Sequence, residues 1–96
     1  MLSINILSPH QLKKQIAAQA KNKRLEKNLS RKTLGEKSSV PASTIKRFET
    51  TGNISLEALL RIALVLDSLS EFSQLFAMNA PATLYEQAIE RQRGRE

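Results

Sequence analysis

The stretch 30–49 constrains this chain more than any other. Ser30 offers a hydroxyl to cap a helix, Leu34 is an apolar anchor one turn further on, and Gly35 leaves room for another segment to approach closely. Val40 is apolar and Pro41 can start a helix, because its missing N–H costs nothing in the first turn. Ile45 and Phe48, three apart, mark one face of the helix that Pro41 starts. Ser43, Lys46, Arg47 and Thr50 fall on the opposite face. The pattern predicts a short helix over 31–38, a tight turn at Ser39, and a second helix from Pro41 with an apolar inner face and a polar outer one. Gly52 and Asn53 end it.

The flanking sequence reads as more helices. Ser8, Pro9 and Gln11 form a capping box with proline at the first helical position, and Leu7 and Leu12 occupy hydrophobic-staple positions. Leu12, Ile16 and Ala20 at four-residue spacing predict the buried face of a helix over 9–27, with Lys13 and the other lysines outside and Asn28 as a left-handed stop. Ser55 caps a fourth helix, stapled by Ile54 and Leu59, with Leu56, Leu59, Leu60 and Ala63 as its core stripe. Asp67 and Ser68 break it. Ser68 and Glu71 predict another capping box and a fifth helix over 69–77, with Leu69, Phe72, Leu75 and Phe76 on its apolar side. Residues 3–7 alternate weakly and suit a short strand or a loose arm alike, and Thr83 with Glu86 marks a sixth short helix. The expected organisation is an arm at 1–8, one all-α domain at 9–78, and an extension at 79–96.

Charge narrows the partners. Residues 1–53 hold eleven Lys and Arg against three Asp and Glu, while 54–96 hold four against six, so +8 sits beside −2. A basic half joined to a mildly acidic one suits a polyanion on one surface and something else on another. No cysteine is present, which removes disulfides and thiolate metal sites and fits a reducing cytoplasm. No apolar run approaches the roughly 18 residues a membrane span needs. His10 stands alone at a helix start, and no Ser or Thr has a histidine base and carboxylate arranged for nucleophilic catalysis. No enzyme, cofactor, metal or small-molecule ligand is expected.

Two short helices joined by a tight turn, the second polar outside, make a helix-turn-helix. Such a second helix fits the major groove of double-stranded DNA, about 12 Å wide. Ser43, Thr44, Lys46 and Arg47 are the candidates for base edges, Arg47 foremost, because a guanidinium binds guanine O6 and N7 together. Ser30, Arg31, Lys32, Thr50 and Asn53 are the candidates for the DNA backbone, the first three at a helix N-terminus where N–H groups and positive charge suit a phosphate.

The run Leu29-Ser30-Arg31-Lys32-Thr33-Leu34-Gly35 through Val40-Pro41-Ala42-Ser43-Thr44-Ile45-Lys46-Arg47-Phe48-Glu49 resembles the lambda-repressor-like (Xre/Cro) helix-turn-helix family. The continuation Thr51-Gly52-Asn53-Ile54-Ser55-Leu56 to Ala63 is similar to HipB-type antitoxins. The resemblance covers about 16–77. It implies a five-helix fold, a homodimer on a palindromic operator, and repression. For HipB-type members it also implies repression of the protein's own operon and a HipA-like serine/threonine kinase toxin as partner. By position it places Arg31, Ala42 to Thr44 and Arg47 against bases or backbone, and pairs Arg24 with Glu49 in an inward-facing salt bridge. Two departures stand out: Ser39 occupies the turn position where relatives usually have glycine, and Ala42 brings no hydrogen bond where many have a polar side chain.

Leu69, Phe72, Phe76 and Tyr85 exceed what so small a core absorbs, and are the candidate dimer contacts, with Ile4 and Ile6 as a further strand-like addition. Two other readings remain open on the sequence: a stand-alone or phage-type repressor without a toxin, and an interaction module whose main role is inhibiting a partner through its acidic half.

Overall fold

The computed structural model describes residues 7–77. Five helices succeed one another: α1 (Pro9–Glu26), α2 (Arg31–Ser38), α3 (Ala42–Thr51), α4 (Leu56–Val65) and α5 (Leu69–Phe72). No strand occurs among the described residues. The expected arm strand, the contact at Ile4 and Ile6, and the sixth helix with Tyr85 lie outside them.

The helix starts obey local chemistry. Gln11 N donates to Ser8 Oγ at 3.1 Å while Ser8 N donates to Gln11 Oε1 at 3.0 Å, closing the capping box around Pro9. Ser30 Oγ accepts from Thr33 N at 3.0 Å and Ser55 Oγ from Ala58 N at 3.1 Å, each satisfying a donor the helix leaves open. Pro41 is the cap of α3 rather than its first helical residue. Asn28, Ser39 and Asp67 take left-handed backbone conformations at or beside the ends of α1, α2 and α4, and Gly52 ends α3 at φ 82.

The core gathers Leu34, Val40, Ile45, Ile62 and Leu66, with Ala17, Phe48 and Ala63 buried around it. Helix α1 packs on α3, α2 packs on both α3 and α4, and α5 leans on α4. At Gly35 the fit is close: an added Cβ would lie 2.6 Å from the Val40 carbonyl oxygen. The turn therefore folds back over the helix that precedes it.

Three expectations are corrected by the packing. Leu12, expected on the buried face of α1, is 42% exposed, as is Leu7. The inner face of α1 runs instead through Ile16, Ala17, Ala20 and Arg24, with Lys13 half-buried. At about 100° per residue Leu12 stands about 120° round from Arg24, so turning Arg24 inward turns Leu12 out. Leu56 is 65% exposed, whereas Ile62 and Leu66, beyond the expected stripe of α4, are buried. Helix α5 is a single turn that ends at Phe72 rather than Ala77. The Ser68 hydroxyl donates to Leu66 O instead of capping it. Beyond Phe72 the chain continues in turns, because a segment without a cap or a packed face does not sustain a helix.

Candidate nucleic-acid interface

Helix α3 is the best-sided element of the fold. Ile45 and Phe48 are buried, and Ser43, Lys46, Arg47 and Thr50 are exposed together on the other side. Among the described residues neither Lys46 nor Arg47 has an acidic partner within salt-bridge distance. Thr44 stands apart from this group. It is half-buried and lines a hollow against α4 with Pro41, Ala58 and Arg61.

Several of the polar candidates are already bonded internally. Thr50 Oγ1 donates to Lys46 O at 2.9 Å. Thr51 Oγ1 donates to Arg47 O at 2.7 Å and accepts from Asn53 N at 3.0 Å, which fixes the residues just after α3. Asn53 Oδ1 accepts from Lys13 Nζ at 2.6 Å. Ser30, besides capping α2, donates its hydroxyl hydrogen to Thr33 Oγ1. Lys32 is exposed and without an acidic partner among the described residues.

The charged heart of this region is Glu49, whose side chain is 4% exposed. Arg24 Nε donates to Oε2 at 2.7 Å and Arg24 Nη2 to Oε1 at 3.1 Å, a forked pair. Its remaining terminal nitrogen donates to Leu29 O at 2.8 Å, so the arginine joins α1, α3 and the link to α2. A second guanidinium arrives from α2: Arg31 Nε donates to Oε1 at 2.9 Å. Burial works to raise the Glu49 carboxyl. The hydrogen bonds from Arg24 and Arg31, and then their charges, outweigh it and hold the carboxyl below the ordinary glutamate range.

Two of these arrangements are not legible in the sequence. Lys13, expected outside, ties α1 to the α3–α4 link from 40 residues away. Arg31, expected to serve the DNA backbone alone, shares Glu49 with Arg24. The Arg61–Glu57 pair on α4, at 2.6 Å, has an (i, i+4) spacing that the sequence does display.

Of the candidate dimer residues, Leu69 is exposed, Phe72 is half-buried, Phe76 is fully exposed at a positive φ of 63°, and Tyr85 lies outside the described residues. Leu75 is exposed as well. Phe72 and Leu75 border an apolar groove of about 440 Å³ between α1, α4 and α5, lined also by Ile16, Ala20, Leu59 and Ile62. Among the described residues no cluster of His, Asp or Glu is suited to a metal ion, and no helix is long and apolar enough to cross a membrane.

A family model described as helix-turn-helix matches residues 21–72, more than half of the chain. Comparisons with curated proteins and with solved structures return no match.

Proposed function

The chain belongs to the helix-turn-helix family, in its Xre/lambda-repressor-like form, and is a DNA-binding transcriptional regulator; on that premise we propose that it is a homodimeric repressor and the HipB-like antitoxin of a type II toxin–antitoxin system. The observation that carries the DNA half of this reading is the outer face of α3. Ser43, Lys46, Arg47 and Thr50 are exposed together, while Ile45 and Phe48 hold the helix down. A helix with side chains is about 10–12 Å across, which matches a major groove about 12 Å wide. Arg47 reads a base, with Ser43 and Lys46 on the same exposed face and Thr44, half-buried against α4, at its border. Ser30, Arg31, Lys32, Thr50 and Asn53 hold the sugar-phosphate backbone.

Repression is a consequence of occupancy. A two-fold dimer places its two copies of α3 about 34 Å apart, one duplex turn, so that they enter successive major grooves of a palindromic operator. Support for the dimer is the exposure of Leu69, Leu75 and Phe76 among the described residues, with Phe72 half-buried, since apolar side chains gathered on one short segment suit a partner surface. Support for the antitoxin half is the likeness of 51–63 to HipB-type sequences, which brings with it repression of the protein's own operon, a HipA-like kinase as partner, and a cytoplasmic setting. The experiment is footprinting on the DNA upstream of the protein's own gene, alone and with the product of any neighbouring kinase-like gene. A symmetric protected site that the kinase strengthens or extends is the expected result. No protection there, or a kinase that neither binds nor shifts it, overturns the corresponding half. Sedimentation that shows a monomer at high micromolar concentration overturns the dimer.

A further inference from the structure

The carboxylate of Glu49 sits between two guanidiniums that differ in what they have left to give. Arg24 faces inward: each of its three nitrogens donates to Glu49 or to Leu29 O, and its side chain is 7% exposed, so it presents little to a ligand. Arg31 is more open. Among the described residues it makes one bond, from Nε, and its side chain is 37% exposed. One negative charge against two positive ones leaves the cluster with an excess of +1, and the donors that carry that excess to the surface are the two terminal nitrogens of Arg31. A planar guanidinium fixed through Nε has its outer edge set in direction, and that edge matches two oxygens of one phosphate.

We propose that Glu49, beyond bracing the fold through Arg24, is the positioning residue for Arg31, holding its guanidinium by Nε so that both terminal nitrogens meet one backbone phosphate of the bound duplex. This rests on the assignment of Arg31 to the DNA backbone. A free arginine loses rotamer freedom when it takes up a phosphate. One already tethered has lost most of it on folding, so less is lost on binding. The same tether makes lysine a poor replacement, because one ammonium cannot span a buried carboxylate and a phosphate at once.

The test is a double-mutant cycle of Arg31→Ala and Glu49→Gln, read as affinity for a scrambled-sequence DNA duplex at several salt concentrations. Each variant is first checked by circular dichroism at the assay temperature. Arg31→Ala weakens binding by about tenfold and makes the slope of log affinity against log salt shallower by about 0.9, one phosphate contact. Glu49→Gln weakens it by a similar factor, and in the Arg31→Ala background it costs nothing further. Arg31→Lys, which keeps the buried pair of Arg24 and Glu49 intact, retains the slope and still loses several-fold in affinity. A Glu49→Gln cost that persists in full without Arg31 overturns the inference, because Glu49 then acts through the fold alone. An Arg31→Lys protein that binds as well as the wild type overturns it independently. A wild-type protein that binds the duplex while Arg31→Ala changes neither affinity nor slope removes the backbone assignment itself.

Discussion

Arg24 on α1 closes a forked pair on Glu49 of α3 at 2.7 and 3.1 Å, with both side chains nearly excluded from solvent. Removing one partner of such a pair leaves a charge stranded, which costs about 3–5 kcal/mol. Arg31 stays on the same carboxylate, so Arg24→Ala is expected near the lower end, about 3 kcal/mol. Urea unfolding of the two proteins measures it. A loss under about 1 kcal/mol, the range of an exposed pair, would mean the pair is solvated in solution.

The same carboxyl makes stability depend on acid. Its folded pKa lies below the ordinary value, so the unfolded chain takes up the proton first as pH falls. The contribution is present in full above the unfolded glutamate value of about 4.3 and is lost as pH drops through the lower folded value. The urea midpoint should therefore decline below about pH 4, and Glu49→Gln should flatten that part of the decline. Parallel pH profiles for the two proteins would contradict the assignment.

Gly35 inside α2 and Ser39 in the turn that follows it respond oppositely to substitution. Alanine is a better helix former than glycine by about 1 kcal/mol, yet at position 35 its Cβ would meet the Val40 carbonyl oxygen at 2.6 Å. Gly35→Ala is thus expected to destabilise by about 1–3 kcal/mol. Ser39 stands at φ 61, ψ 33, a conformation that costs a non-glycine residue about 1–2 kcal/mol. Ser39→Gly should stabilise by up to about 1 kcal/mol. Thermal melts of both variants give the two signs.

Ser38 is buried, and among the described residues its hydroxyl has no hydrogen-bond partner. An unpaired buried polar group costs about 1–3 kcal/mol, and alanine fits the same helical site without it. Ser38→Ala should stabilise by about 1 kcal/mol in urea titration. A loss of similar size would mean that the hydroxyl is satisfied in solution.

Arg47 and Lys32 should leave different marks on binding. Arg47→Ala is expected to cost about 1–3 kcal/mol on the operator and to relax preference at one symmetric base pair. Lys32→Ala should weaken all duplexes alike and lower the salt slope by about one. Titrations with operator and scrambled DNA at several salt concentrations separate them. If Arg47→Ala weakens both duplexes equally, Arg47 holds a phosphate, and specificity falls to Ser43, Lys46 or the shape of the operator.

Local chemistry was enough to find the helix starts. Ser8 with Gln11, Ser30 and Ser55 each satisfy a nearby backbone donor, and the residues involved are three apart in sequence. The same holds for α3, where Ile45 and Phe48 define the buried side and so leave Arg47 on the other. Ser68 is the exception. It has the spacing of a cap, but a cap holds a helix only when the helix also has a face to bury, and α5 ends after one turn.

Helices α1 to α4, the turn at Ser39 and the polar face of α3 follow from local sequence, because each depends on neighbours within about one helical turn. Which side of α1 and α4 turns inward is set by packing between helices, since Leu12 and Leu56 lose their places to Arg24 and Ile62 once α1 meets α3 and α4 closes the core. That packing also decided that Lys13 reaches Asn53 and that Glu49 holds two arginines rather than one. Those partners lie 18 to 40 residues apart, and no local spacing encodes a meeting that depends on how whole helices cross.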